Sequence, residues 1–293
     1  MNNSYCPSEN YRNWLELPRD IILMILMKLQ QVEIMDSVQF VCKPWYDLCK
    51  DPVMWRTIYF RDHERRCFRK PKSVLPNVPN MMIYHENMVL NAIDRSSGGL
   101  IDLDIECFVP EHLCSYVASR CTQLKRLRLL PSRNMFSKAM TEALQKLSSL
   151  EELEISMGSF RTEQLVSIIH SCPSLTTFKL NRDLRYRDRS CDKVALAIGR
   201  TMPELRHLQL IGDGLSNVGL KAILEGCSHL QSLHLLDCSH LNLDGYFRKQ
   251  LAKQIKDLRC PDDFIEDSFR RIVDYDNMDS DDDGWDSDYD YDF

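Results

Sequence analysis

The sequence predicts an α+β chain of several modules: a small helical unit, a solenoid of alternating strands and helices, and an acidic tail unable to fold alone. Three observations carry this. Apolar residues recur in one register six times between Leu100 and Leu235. The run Ile21–Met27 is apolar at every position. Ten aspartates, with no Lys, Arg or Glu among them, follow Arg271.

Residues 1–10 are polar and read as an N-terminal tail, without the apolar run and small-residue cleavage site of a signal peptide. Residues 11–60 hold the helical unit. There Leu17-Pro18-Arg19-Asp20 leads into Ile21-Ile22-Leu23-Met24-Ile25-Leu26-Met27. Such a run covers a helix all round rather than along one core-facing stripe, and it falls far short of the roughly 20 residues that span a bilayer. Val38, Val41, Cys42, Trp45, Leu48 and Trp55 can shield part of this surface. A unit so small cannot bury both sides of the helix, so the excess is expected to meet another protein. Pro18 suits the first turn of a helix. Asp36 or Ser37 is expected to cap a second helix that Pro44 ends, and Asp51 before Pro52 to open a third.

Leu17-Pro18 ahead of an apolar helix, Val41-Cys42-Lys43 with Trp45, and Asp51-Pro52 with Trp55 together resemble an F-box. The resemblance implies a three-helix module that docks on the Skp-type adaptor of a cullin-based (SCF) ubiquitin ligase. Carried over by that match, Leu17, Pro18, Ile22, Ile25, Leu29, Val41 and Trp45 are the positions expected to touch the adaptor or to fix the interface. The alternative is an ordinary helical subdomain buried against the rest of the chain.

Residues 61–99 read as a basic connector followed by the N-terminal cap of the solenoid. The stretch from Arg61 to Lys72 is rich in Arg and Lys, and Pro71, Pro76 and Pro79 fit a stiff linker. A nuclear-import or nucleic-acid patch is the other reading of that stretch, and a solvated connector is preferred.

Residues 100–258 hold the repeats. Leu-x-x-Leu-x-Leu recurs as Leu100/Leu103/Ile105, Leu124/Leu127/Leu129, Leu150/Leu153/Ile155, Leu175/Phe178/Leu180, Leu205/Leu208/Leu210 and Leu230/Leu233/Leu235. The steps between first positions are 24, 26, 25, 30 and 25 residues, the period and pattern of leucine-rich repeats. Each unit supplies a short parallel strand and then a helix, as the spacing of Met140/Ala143/Leu144/Leu147 and of Leu165/Ile168/Ile169 shows. Cys121, Cys172 and Cys227 precede strands, as in the cysteine-containing class that these repeats resemble. The asparagine usual three residues after the strand is replaced by Ser132, Gly158, Asp183 and Asp213, which leaves its side-chain ladder in doubt.

Residues alternating with the inward leucines face the concave side. Asp102/Asp104, Arg126/Arg128 and Glu152/Glu154 alternate in sign from repeat to repeat, so they are expected to neutralise one another across adjacent strands. The last three repeats carry less self-paired groups: His207, Gln209 and His234, with Ile211 and Leu236 expected to be exposed. The long step contains Arg185, Tyr186 and Arg187 in a loop with four arginines, and Arg and Tyr are residue types that anchor interfaces. These six polar and aromatic residues, Arg185, Tyr186, Arg187, His207, Gln209 and His234, form the expected substrate surface. Phe247, Leu251, Ile255 and Leu258 are spaced for an amphipathic helix that caps the last repeat.

Residues 259–293 read as a disordered acidic tail, its terminal part too charged and too poor in aliphatics to fold alone. Asp279-x-Asp281-x-Asp283-Gly284 matches the first half of a calcium loop. Asp286 and Asp290 depart from its second half, so no metal site is expected there. Ser280 and Ser287 stand before acidic residues and resemble acidophilic-kinase sites. The tail is expected to shield the arginine-rich loop.

The twelve cysteines include no C-x-x-C pair, and no glycine-rich phosphate loop or nucleophile–base set is recognisable. Neither catalytic residues, cofactor nor metal is expected, and neither a membrane nor a nucleic acid as partner; nucleus and cytoplasm both fit. The fold class implied is a three-helix F-box, an α/β leucine-rich-repeat solenoid and an acidic tail. Over residues 11–260 the order resembles the plant F-box/leucine-rich-repeat proteins of the Skp-interacting-partner type. The function implied is that of a substrate receptor bound to a Skp-type adaptor, through it to a cullin, and to an unidentified protein substrate. The alternatives are an acidic-tailed leucine-rich-repeat protein that binds histones or other basic proteins, and an F-box protein acting without a cullin.

Overall fold

The computed structural model describes residues 14–60, 81–109, 111–131, 138–156, 161–182 and 192–263. Most of the basic connector, the loop with Arg185, Tyr186 and Arg187, and residues 264–293 lie outside the described residues.

The helical unit comprises α1 (Arg19–Leu26), α2 (Gln31–Asp36) and α3 (Lys43–Leu48), with single 3-10 turns at Trp14–Glu16, Val38–Phe40 and Pro52–Trp55. Two expected boundaries are corrected. α2 starts after Gln30, whose N–H is accepted by the Glu33 carboxylate at 3.0 Å, and it ends rather than begins at Asp36. Pro44 lies in the first turn of α3 instead of ending α2. A proline costs nothing there, because the N–H it lacks has no partner within the helix. Asp51 does cap, accepting from the Val53 N–H at 3.0 Å, and the element it opens is one 3-10 turn.

β1 (Thr57–Phe60) and α4 (Met81–Arg95) lead into the repeats. These run β2 (Asp102–Val109), α5 (Glu111–Arg120), β3 (Arg126–Pro131), α6 (Lys138–Lys146), β4 (Glu152–Ser156), α7 (Thr162–Ser171), β5 (Thr177–Asn181), α8 (Lys193–Thr201), β6 (His207–Ile211), α9 (Asn217–Gly226), β7 (Ser232–Leu236), α10 (Gly245–Gln254) and β8 (Asp257–Arg259). All eight strands form one parallel sheet in sequence order. The six leucine registers supply β2–β7. Ile58 and Phe60 of β1 stand opposite Leu103 and Ile105, so the helical unit contributes the first strand of the solenoid. At the other end Leu258 pairs with Leu233 on β8. The expected capping helix therefore stops at Gln254, and Leu258 belongs to a strand, because Ile255 has already turned to extended backbone.

One apolar core runs from Ile22 to Ile255. α4 joins its two halves by burying Met88, Val89, Ala92 and Ile93 on one face. Trp55, fully buried, donates its indole N–H to the Cys49 carbonyl at 2.9 Å. The Arg95 guanidinium lies 5.1 Å from its ring centroid and donates to Gln39 Oε1 at 2.8 Å. On the convex side Cys121, Cys172 and Cys227 are buried, which pushes their thiols up to about 11, 12 and 11 and leaves them unreactive at neutral pH. α8 and α9 touch backbone to backbone: a Cβ on Gly199 would lie 2.3 Å from the Ala222 carbonyl oxygen, and one on Gly226 1.8 Å from that of Gly199.

Gly199→Ala should force these helices apart and cost roughly 1–3 kcal/mol, the usual price of overpacking, read as a lowered urea midpoint. Trp55→Ala should cost about 3–5 kcal/mol and, because the core is continuous, weaken the helical unit and the first repeats in a single transition followed by circular dichroism.

Candidate protein-docking surfaces

α1 points Ile22 and Leu26, one turn apart, into the core. The same turn of helix leaves Ile21, Met24 and Ile25 exposed, with Leu17 ahead of them and Met27 behind. In the 3-10 turn Val38–Phe40 the usual partition is inverted. Gln39 is buried, its amide donating to the Met35 carbonyl and accepting from Arg95. Holding Gln39 inward leaves Phe40 71% and Val41 62% exposed. Val53 is likewise turned outward by Met54 and Trp55, which face the core. An Arg19–Asp51 ion pair of 2.5 Å ties the start of α1 to this last turn. The Val53 N–H and then Arg19 hold the Asp51 carboxyl below the usual carboxylate range.

Nine of the thirteen large apolar side chains exposed among the described residues lie between Trp14 and Val53. A surface of that kind marks a protein contact. Of the residues expected to touch an adaptor, Leu17, Pro18, Ile25 and Val41 are exposed, while Leu29 and Trp45 are half-buried against the core. Ile22 is corrected: at 5% exposure it is core, because it stands one turn before Leu26 on the inward stripe. The exposed set also holds Ile21, Met24 and Met27, from the run whose excess surface is expected to meet another protein, and Trp14, Phe40 and Val53, which the sequence did not single out. For Phe40 a signal existed in the polar Gln39 lying between apolar neighbours.

The concave face carries the expected alternation of charge. Arg126 Nε lies 2.7 Å from Asp102 Oδ2, which also accepts from the Tyr59 hydroxyl at 3.1 Å. Arg128 sits among three carboxylates, 3.3 Å from Asp104, 3.3 Å from Glu152 and 3.6 Å from Glu154. Lys179 reaches Glu152 at 3.2 Å. Burial would raise the Glu152 carboxyl, but the Lys179 ammonium and the Arg128 guanidinium outweigh it and hold it below the usual range.

Register pairing brings His207, Gln209 and His234 together on β6 and β7. They differ in availability. His207 is exposed. Gln209 is corrected as a ligand contact: it is buried and donates to Asn181 Oδ1 at 2.7 Å, and Asn181 in turn donates to Ser156 Oγ at 2.9 Å. His234 is half-buried, its Nε2 2.8 Å from Asp257 and 3.2 Å from Ser232 Oγ. One ring nitrogen faces both groups, whereas a hydrolytic relay needs the carboxylate on the opposite nitrogen. Ile211 and Leu236, expected to be exposed, are buried. They stack in register with Asn181 in one column, each covered by its neighbours on adjacent strands. Near that column Arg182 and Asp213 form a buried ion pair of 3.6 Å.

Among the described residues no three His, Cys, Asp or Glu side chains gather to hold a metal ion, and no helix is long and apolar enough to cross a membrane.

Because the folded Glu152 carboxyl is depressed, its contribution is complete above its unfolded value of about 4.3 and is lost as pH falls through the lower folded value. Lys179→Met should therefore lower the urea midpoint at pH 7, and the difference between the two proteins should shrink as acidification protonates Glu152 in the folded state.

Residues 14–61 match the family model described as F-box-like. The chain is 42% identical over 238 residues to putative F-box/LRR-repeat protein 9 of Arabidopsis thaliana, covering 80% of this chain and 92% of that protein. To F-box protein SKIP19 of the same plant it is 40% identical over 255 residues, 87% of this chain and 79% of that one. To putative F-box/LRR-repeat protein 23 it is 41% identical over 262 residues, 89% of this chain, and it spans 56% of that relative's length.

Proposed function

The chain belongs to the family of F-box/leucine-rich-repeat proteins, and on that premise we propose that it is a substrate receptor of an SCF-type ubiquitin ligase. The F-box binds a Skp-type adaptor through its exposed apolar side chains, and the adaptor connects it to a cullin. The observation that carries this reading is the concentration of exposed apolar residues between Trp14 and Val53, on the far side of a module whose other face is sealed into the solenoid.

The chain performs no chemistry in this reading. It holds the lysines of a bound protein near the ubiquitin-charged enzyme, where proximity replaces a bimolecular encounter. The substrate surface is the C-terminal half of the concave sheet. Along β3–β5 Arg126, Arg128 and Lys179 are already committed to carboxylates of their own sheet. On β6 and β7 the exposed His207 and the half-buried His234 are more accessible, and Arg185, Tyr186 and Arg187, which lie outside the described residues, fall between β5 and α8 in sequence.

Titration calorimetry against a Skp-type adaptor tests the reading. Wild type should bind, and Met24→Asp/Phe40→Asp should weaken binding at least about a hundredfold, as expected when central apolar anchors are lost, with an unchanged circular dichroism spectrum. Ile22→Ala should instead lower stability by about 2–5 kcal/mol and leave the affinity of the folded protein intact. Absence of binding by folded wild type would sink the proposal.

A further inference from the structure

A groove of about 690 Å³ opens where the F-box meets the first strands of the sheet. Met27, Leu29, Ile34 and Met54 are among its apolar lining, and its basic groups are Lys28, Arg56 and Arg126. No carboxylate lines it. Lys28 and Arg56 are exposed, and among the described residues neither forms an ion pair, in contrast to the neutralised cations of the neighbouring concave face. The groove therefore combines apolar lining with the uncompensated charge of Lys28 and Arg56, while Arg126 is paired with Asp102, and this fits an anionic peptide carrying bulky apolar side chains.

The chain itself contains such a peptide. Asp288-Tyr289-Asp290-Tyr291-Asp292-Phe293 alternates acidic and aromatic residues without a break. In an extended backbone that alternation sets all three aromatics on one side and all three carboxylates on the other. We propose that this segment docks intramolecularly in the groove, with Tyr289, Tyr291 and Phe293 entering among its apolar side chains and the carboxylates of Asp288, Asp290 and Asp292 facing Lys28 and Arg56. The described structure stops at Asp263 near β8, at the far end of the sheet. Fully extended, residues 264–287 reach up to about 80 Å, well beyond the roughly 34 Å across the sheet at about 4.8 Å per strand. The arginine-rich stretch, the other basic target for this segment, follows β5 in sequence, and β2, β3 and β4 lie between β5 and β1 in the sheet. Met27 and Val53 line the groove and also belong to the exposed apolar set, so an occupied groove covers part of the F-box surface.

The test uses three full-length proteins and a fluorescein-labelled peptide of residues 284–293, followed by anisotropy. In the variant Tyr289→Ser/Tyr291→Ser/Phe293→Ser the groove is free, and the peptide should bind. In wild type the tethered segment competes at an effective concentration near the millimolar range, so the peptide should bind at least about tenfold more weakly. Adding Lys28→Glu/Arg56→Glu to the serine variant should reduce binding at least tenfold. Both charge-reversed positions are exposed, and circular dichroism checks the fold. Equal binding by wild type and the serine variant would overturn the proposal, because the groove would then be open to an outside acidic peptide. So would binding that survives the charge reversal, which points to another basic surface, or a wild-type dimer in sedimentation that the serine variant lacks, which points to exchange between copies.

Discussion

No strand–helix unit of this chain can bury its own apolar face. Each depends on a neighbour to cover its row of leucines, and the two terminal units have a neighbour on one side only. The rest of the architecture answers that constraint. At the C-terminal end α10 and the short β8 close the row, with Leu251 and Ile255 turned inward. At the N-terminal end the closure is the F-box itself. It contributes β1 to the sheet and Trp55 to the core, and α4 packs across the join. The module that we propose meets the adaptor is thus also the module without which the first repeat would stand open to water. Its remaining apolar side chains face outward because its inward face is spent on the solenoid.

The charges of the concave sheet obey a related rule. Parallel strands in register set equivalent residues side by side, so a row of like charges would repel along its whole length. Asp102, Arg126 and Glu152 alternate instead, as do Asp104, Arg128 and Glu154. This satisfies nearly every charged group in that half of the sheet and gives it little to offer a ligand. Toward β6 and β7 the ladder changes to amides, hydroxyls and histidines, and accessibility returns at His207.

What the sequence made legible follows from how many jobs a residue has. The repeated leucines have one, to face inward, and their spacing announced β2–β7 and the charge alternation between them. β1 and β8 escaped because three or four residues show no period and lack the leucine pattern. Ile211 and Leu236 sit at positions that alternate outward, and only stacking in a column across strands buries them. In the F-box, core and contact residues interleave on helices of eight residues or fewer. Composition revealed the excess apolar surface, but the choice between Ile22 inside and Ile21 outside needs the tertiary packing, and Phe40 is exposed only because Gln39 is anchored to Arg95.

The glycine contact between α8 and α9 bears on shape. Strands in a sheet stand about 4.8 Å apart, whereas packed helices need 8–10 Å, and a solenoid bends to reconcile the two layers. Where Gly199 and Gly226 let two helices approach backbone to backbone, the outer layer is pinched and the mismatch shrinks. A closer outer layer lessens the bend that the sheet needs behind β6, so the two glycines bear on the curvature of the inner face as well as on packing.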